Sequence, residues 1–87
     1  MDSSASPEPE LDLHRLTVDE ALPRLDQYLY EAYVVGIPSV RVVHGKGTGT
    51  LRQVVREWLP RHHLVKSFRP AEPEEGGGGV TIVELVE

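Results

Sequence analysis

The sequence predicts an α/β fold, a two-layer sandwich of order β-α-β-α-β-β with a four-stranded mixed sheet and two helices on one face. Three observations predict it. Four short segments carry strand patterns, and two longer segments between them carry helical apolar stripes. Each helical stripe opens on a Thr-led capping pattern. With 87 residues the chain has room for one domain with a modest core.

Residues 1–9 (MDSSASPEP) are rich in Pro, Ser and acid and are expected to be a disordered linker or tail, leaving a folded domain over 10–87. Residues 10–14 (ELDLH) alternate, with Leu11 and Leu13 on one face and Asp12 and His14 on the other. Thr17 and Glu20 form a capping box. Behind it Val18, Ala21, Leu22, Leu25, Leu29 and Ala32 make a helical stripe. Pro23 removes one hydrogen bond to residue 19. The stripe continues past it, so one helix runs to about Tyr33 and ends before Gly36 and Pro38.

Residues 39–43 (SVRVV) are β-branched and read as the second strand, followed by a tight loop at 44–49 (HGKGTG). Thr50 to Gln53 repeats the capping pattern, and Leu51, Val54, Val55, Trp58 and Leu59 form the second stripe, with Trp58 in the core. Residues 65–69 read as the third strand, and 70–79 as a loop with four consecutive glycines. Residues 80–86 (VTIVELV) are nearly continuous in apolar side chains, which suits a strand at the centre of the sheet. Two right-handed crossovers leave the first three strands parallel, and the last returns antiparallel. Two helices cover one face and leave the other open.

Without cysteine there is neither a disulfide framework nor a thiolate metal site. No apolar run is long enough to span a membrane, and the acidic start is unlike a signal peptide, so a cytoplasmic protein with no membrane partner is expected. The net charge of −5 hides an uneven distribution. Residues 36–70 hold seven bases against one acid, and acidic segments lie on both sides. The basic middle is what a nucleic-acid partner would meet.

That middle contains the strongest chemical signal. Gly45, Gly47 and Gly49 let backbone approach a ligand closely, and the loop ends at a helix N-terminus where N–H groups favour an anion. Lys46 adds a charge; Thr48 and Thr50 add hydroxyls. The loop reads as a phosphate cradle or as a plain glycine-rich turn. The nucleotide motifs fit poorly: GxxxxGK[ST] is absent and the glycine spacing is GxGxG. His14 and His44 follow neighbouring parallel strands, so both imidazoles belong at the carboxyl edge of the sheet, where such folds bind ligands. With Asp12 they suit general acid–base cleavage of a phosphodiester, or a divalent metal, or simple solvent exposure. His62 and His63 suit a helix C-terminus, and of Tyr28, Tyr30 and Tyr33 one or two are expected in the core.

Leu11-Asp12-Leu13-His14, the loop His44 to Gly49 with Leu51 after it, and residues 78–85 (GGVTIVEL) resemble the three signatures of the Smr (small MutS-related) domain family. The wording is most similar to the C-terminal domain of the second bacterial MutS paralogue. The resemblance implies a fold similar to the C-terminal domain of translation initiation factor 3. It implies an endonuclease domain that nicks DNA and also cleaves RNA, carried by a larger MutS-like ATPase chain linked to recombination suppression and ribosome rescue. The partner is then nucleic acid: DNA, or rRNA or mRNA on ribosomes.

By position, Asp12, His14 and His44 become the catalytic candidates, and Gly45, Lys46, Gly47, Thr48, Gly49 and Thr50 the phosphate-binding ones. Lys46 and the loop amides would stabilise phosphorane charge, and Arg15, Arg52 and Arg56 would hold flanking phosphates. Arg15 stands where the family usually has Gly. Mg²⁺ or Mn²⁺ stays open as a cofactor, with Asp12 and His14 the ligands if there is one. The rival reading is a non-catalytic nucleic-acid or ribosome-binding module that uses the same basic segment without histidine chemistry; a purely structural interaction domain is weaker still.

Overall fold

Residues 9–87 are described by the computed structural model. The expected tail lies outside them except for Pro9, whose carbonyl accepts the Arg41 N–H at 2.8 Å. Strand β1 (Glu10–Asp12) pairs in parallel with β2 (Ser39–Val43). Strand β4 (Val80–Leu85) runs antiparallel between β2 and β3 (Val65–Pro70), so the sheet order is β1-β2-β4-β3. The central position of β4 follows from its composition: Val80 to Val83 and Leu85 are buried, which requires cover on both faces.

Helix α1 (Val18–Val34) and helix α2 (Thr50–Trp58) pack over one face of the sheet. The core joins Ala21, Leu25, Leu29 and Ala32 of α1, Val55 of α2 and the following Leu59 to Leu11, Val40, Val42, Val83 and Leu85 of the strands. The alternation of β2 puts Val40 and Val42 there and turns Arg41 to the opposite face. Both halves of the α1 capping box form: Thr17 Oγ1 accepts the Glu20 N–H and Glu20 accepts the Thr17 N–H. The helix carries Pro23 in its interior without ending there.

Four expectations need correction. Strand β1 stops at Asp12, because the Asp12 carboxylate takes the His14 N–H at 3.0 Å and turns the chain. Thr50 does not cap α2. The N-cap is Gly49 at φ 85°, with no side-chain cap, and the Thr50 N–H goes to Thr48 Oγ1 instead. Residues 70–79 are not a plain loop. They form two 3-10 turns, Pro73–Glu75 and Gly77–Gly79, that fold over the face expected to be open. Gly76 lies against Val80 and Arg41, and Arg69 grips both carboxylate oxygens of Glu75 at 2.8 and 2.9 Å. Finally, Trp58 and Tyr28 pack against the core only in part, and Tyr30 and Tyr33 are exposed.

Candidate active site

β1 and β2 are parallel neighbours, so their carboxyl ends open at the same edge of the sheet. The chain leaves each one for the N-terminus of a helix. Between the two junctions is a cleft of about 400 Å³, lined by His14 and Thr17 from the first and by His44, residues 45–51 and Arg52 from the second. The two histidines, the glycine loop and Arg52 thus share one cleft.

In the first junction Asp12 orients His14. Asp12 Oδ1 lies 2.5 Å from His14 Nδ1 and also accepts the His14 backbone N–H. These hydrogen bonds from His14 hold the Asp12 carboxyl below its ordinary value, so it is an acceptor at neutral pH. The proton on the imidazole therefore sits on Nδ1, and Nε2 presents a lone pair, which accepts the Arg15 Nε–H at 3.2 Å. Both His14 and Asp12 are exposed.

The second junction is built inward. His44 is 4% exposed, and both ring nitrogens face the protein: Nδ1 lies 3.1 Å from the Gly45 carbonyl and Nε2 lies 2.8 Å from Thr81 Oγ1. A carbonyl only accepts, so Nδ1 carries the proton and Nε2 accepts from the Thr81 hydroxyl. Arg56 Nε donates to Thr81 Oγ1 at 3.1 Å, closing the chain. Burial, with Arg56 and Arg52 nearby, holds the His44 pKa below its ordinary value, which keeps the ring neutral. The Gly79 carbonyl accepts both the His44 and the Gly45 N–H, each at 3.0 Å, so the end of the 70–79 segment pins the start of the loop.

Two glycines here are required by space. Gly45 has φ 79°, and a Cβ there would stand 3.0 Å from the His14 Cβ. A Cβ on Gly79 would crowd the Gly45 backbone at 3.3 Å. Lys46 is exposed and lays its stem past Gly78 and Gly79. Thr48 and Thr50 share a hydroxyl–hydroxyl bond of 2.9 Å at the start of α2. An uncapped helix start beside Lys46 and Arg52 is suited to an anion.

Other candidates fall elsewhere. Arg56 does not line the cleft; it is half-buried and spends Nε on Thr81. His62 ties α1 to the end of the second helical segment, with Nε2 at 2.7 Å from Asp26 and Nδ1 accepting the Leu64 N–H. Asp12 Oδ1 is taken up by His14, and among the described residues no group of three His, Cys, Asp or Glu side chains is placed to hold an ion. Sequence reasoning missed Thr81. Its only signal is a hydroxyl in the otherwise apolar start of the last strand, and its burial marks a polar group that needs a partner.

Residues 11–86 match the family model for the Smr domain. The chain is 60% identical over 78 residues to Endonuclease MutS2 of Thermomicrobium roseum, covering 90% of this chain and 10% of that protein. It thus spans about a tenth of the length of the curated relatives it matches. The crystal structure of the Smr domain of Thermus thermophilus MutS2 superposes with a TM-score of 0.88 at 53% identity, covering 91% of this chain and 99% of that one. YdaL, a stand-alone small MutS-related protein from Escherichia coli, superposes with a TM-score of 0.86 at 27% identity, covering 94% and 67%.

Proposed function

This chain belongs to the Smr domain family, and from that premise we propose that it is an endonuclease domain that cleaves phosphodiesters, DNA first and RNA close behind, within a larger MutS2-like protein. The observation that carries the reading is the Asp12–His14 pair: an exposed, carboxylate-oriented imidazole on the wall of a cleft whose other wall is a glycine loop and an uncapped helix start.

In this reading the scissile phosphate sits on the loop amides at the start of α2, with Lys46 and Arg52 beside it. Arg15 swings from His14 Nε2 to a flanking phosphate and frees that lone pair. Nε2 then takes the proton of the attacking hydroxyl, from water or from a ribose 2′-OH; as the new P–O bond forms, the bond to the leaving sugar oxygen breaks and that oxygen takes a proton from solvent, while the Asp12 carboxylate stabilises the imidazolium until it returns its proton to solvent. The Lys46 ammonium and the amides meet the charge that grows on the phosphorane oxygens. His44, buried with both nitrogens engaged, shapes the loop and does not exchange protons with substrate. DNA recombination and ribosome rescue are then tasks to which the parent chain delivers this domain.

The test is cleavage of supercoiled plasmid and of a structured RNA, with EDTA, Mg²⁺ or Mn²⁺, by the wild type, Asp12→Asn and His14→Ala. Loss of a general base lowers the rate on the order of 10²–10⁴-fold, and His14→Ala is expected to show it. Full activity in His14→Ala, or no cleavage by the wild type under any condition, overturns the reading. In the second case, binding that weakens steeply with salt marks the domain as a binding module.

A further inference from the structure

The relay Arg56–Thr81–His44 ends on the Gly45–Lys46 peptide, through the Gly45 carbonyl. The Gly45–Lys46 peptide follows a glycine at φ 79°, and glycine tolerates either orientation of the unit that follows it. A trans peptide is planar, with C=O and N–H pointing in opposite directions. When the Gly45 carbonyl turns to His44 Nδ1, the Lys46 N–H must point the other way, out of the protein interior that holds the ring and toward the cleft lined by Gly45, Lys46 and Gly47. The flipped peptide would offer a carbonyl to an incoming phosphate.

We propose that Thr81 and Arg56 are positioning residues that lock His44 as its Nδ1–H tautomer, and that this tautomer fixes the Gly45–Lys46 peptide with its N–H facing the cleft anion. The direction of each bond follows from the Gly45 carbonyl, which only accepts: Nδ1 carries the ring proton, Nε2 accepts from the Thr81 hydroxyl, and Thr81 Oγ1 accepts from Arg56 Nε. With Nε2 receiving a proton, the neutral ring carries its hydrogen on Nδ1, which donates to the Gly45 carbonyl. Two members of the relay, His44 and Thr81, are buried, so water does not compete for these bonds. The Gly79 carbonyl holds the His44 and Gly45 N–H groups from the other side, so the peptide after Gly45 is the one left to be set by the ring.

This inference rests on the proposed phosphate cradle but not on cleavage, and NMR of the 87-residue chain tests it separately. In the wild type, long-range ¹H–¹⁵N correlation is expected to show His44 as the pure Nδ1–H tautomer, and inorganic phosphate is expected to shift the Lys46 amide. Thr81→Val removes the donor to Nε2. It should mix the tautomers and weaken phosphate binding at the Lys46 amide about tenfold, the scale of one hydrogen bond to a charged group. Thr81→Ser should restore both. Arg56→Gln, which keeps a donor but not the guanidinium, gives an intermediate loss and serves as the second variant if Thr81→Val does not fold.

An Nε2–H or mixed tautomer in the wild type overturns the proposal. So does a Thr81→Val protein with an unchanged tautomer, or with a Lys46 amide that responds to phosphate as before. A wild type that shows the locked tautomer and the Lys46 response yet cuts no nucleic acid upholds the relay and removes the nuclease reading alone.

Discussion

The junction from β1 into α1 and the junction from β2 into α2 hold equivalent places in the topology, each at the carboxyl end of one of two neighbouring parallel strands, yet they spend their polar groups in opposite ways. In the first, the helix start is closed by the Thr17–Glu20 box, and the histidine is exposed and aimed by a carboxylate. In the second, the helix start has no side-chain cap, and the histidine is buried with both nitrogens engaged. A capped helix has fewer amides for an anion, and a buried imidazole has no route to exchange protons with substrate. In the proposed reading the cleft therefore draws proton chemistry from one wall and anion binding from the other.

The largest test of this contrast is to truncate each histidine and measure unfolding by urea. His44→Ala leaves the Thr81 hydroxyl and the Gly45 carbonyl without their buried partner, and a loss of roughly 2–3 kcal/mol is expected. His14→Ala removes an exposed ring, and stability should stay within about 0.5 kcal/mol of wild type. Equal losses in the two variants would break the comparison.

A smaller effect probes the caps. Thr17→Ala should cost about 1 kcal/mol, the worth of an N-cap side chain, and leave phosphate binding at the loop unchanged. If phosphate affinity falls with it, the two helix starts are not separate in function.

The smallest expected effect is in the pH dependence. The folded pKa of His44 lies below its ordinary 6.5. Above that ordinary value both the folded and the unfolded chain hold a neutral ring, and the contribution of His44 is complete. As pH falls below it, the unfolded chain takes up the proton first, so stability declines toward the folded pKa. Urea midpoints from about pH 8 down to about pH 5 should therefore fall more in the wild type than in His44→Gln. Parallel curves would show that the ring is not shielded from the proton.

Most of the fold was legible because its signals are local. The Thr17 box and the Ala21–Leu25–Leu29–Ala32 stripe specify α1 without reference to the rest of the chain, and the nearly continuous apolar run of β4 specifies a central strand. The candidate site was legible where it depends on short-range order, as with Asp12 and His14, two residues apart and bonded across the turn that ends β1. It was not legible where a rule had two local solutions. Thr50 carries a capping pattern, but Gly49 at φ 85° takes the N-cap because Thr48 is already turned to the Thr50 N–H. Arg56 looked like a phosphate contact because an arginine on a helix has no visible partner in sequence; Thr81 lies 25 residues away.

By itself, the sequence determined the element order, the helix stripes, the glycine loop and the pairing of Asp12 with His14, since each rests on spacings of a few residues. Only the tertiary structure decided that the two histidines have different surroundings, one exposed and one buried. The difference comes from burial and from partners on β4 and in the 70–79 segment, which meet the loop only after the last strand inserts at the centre of the sheet.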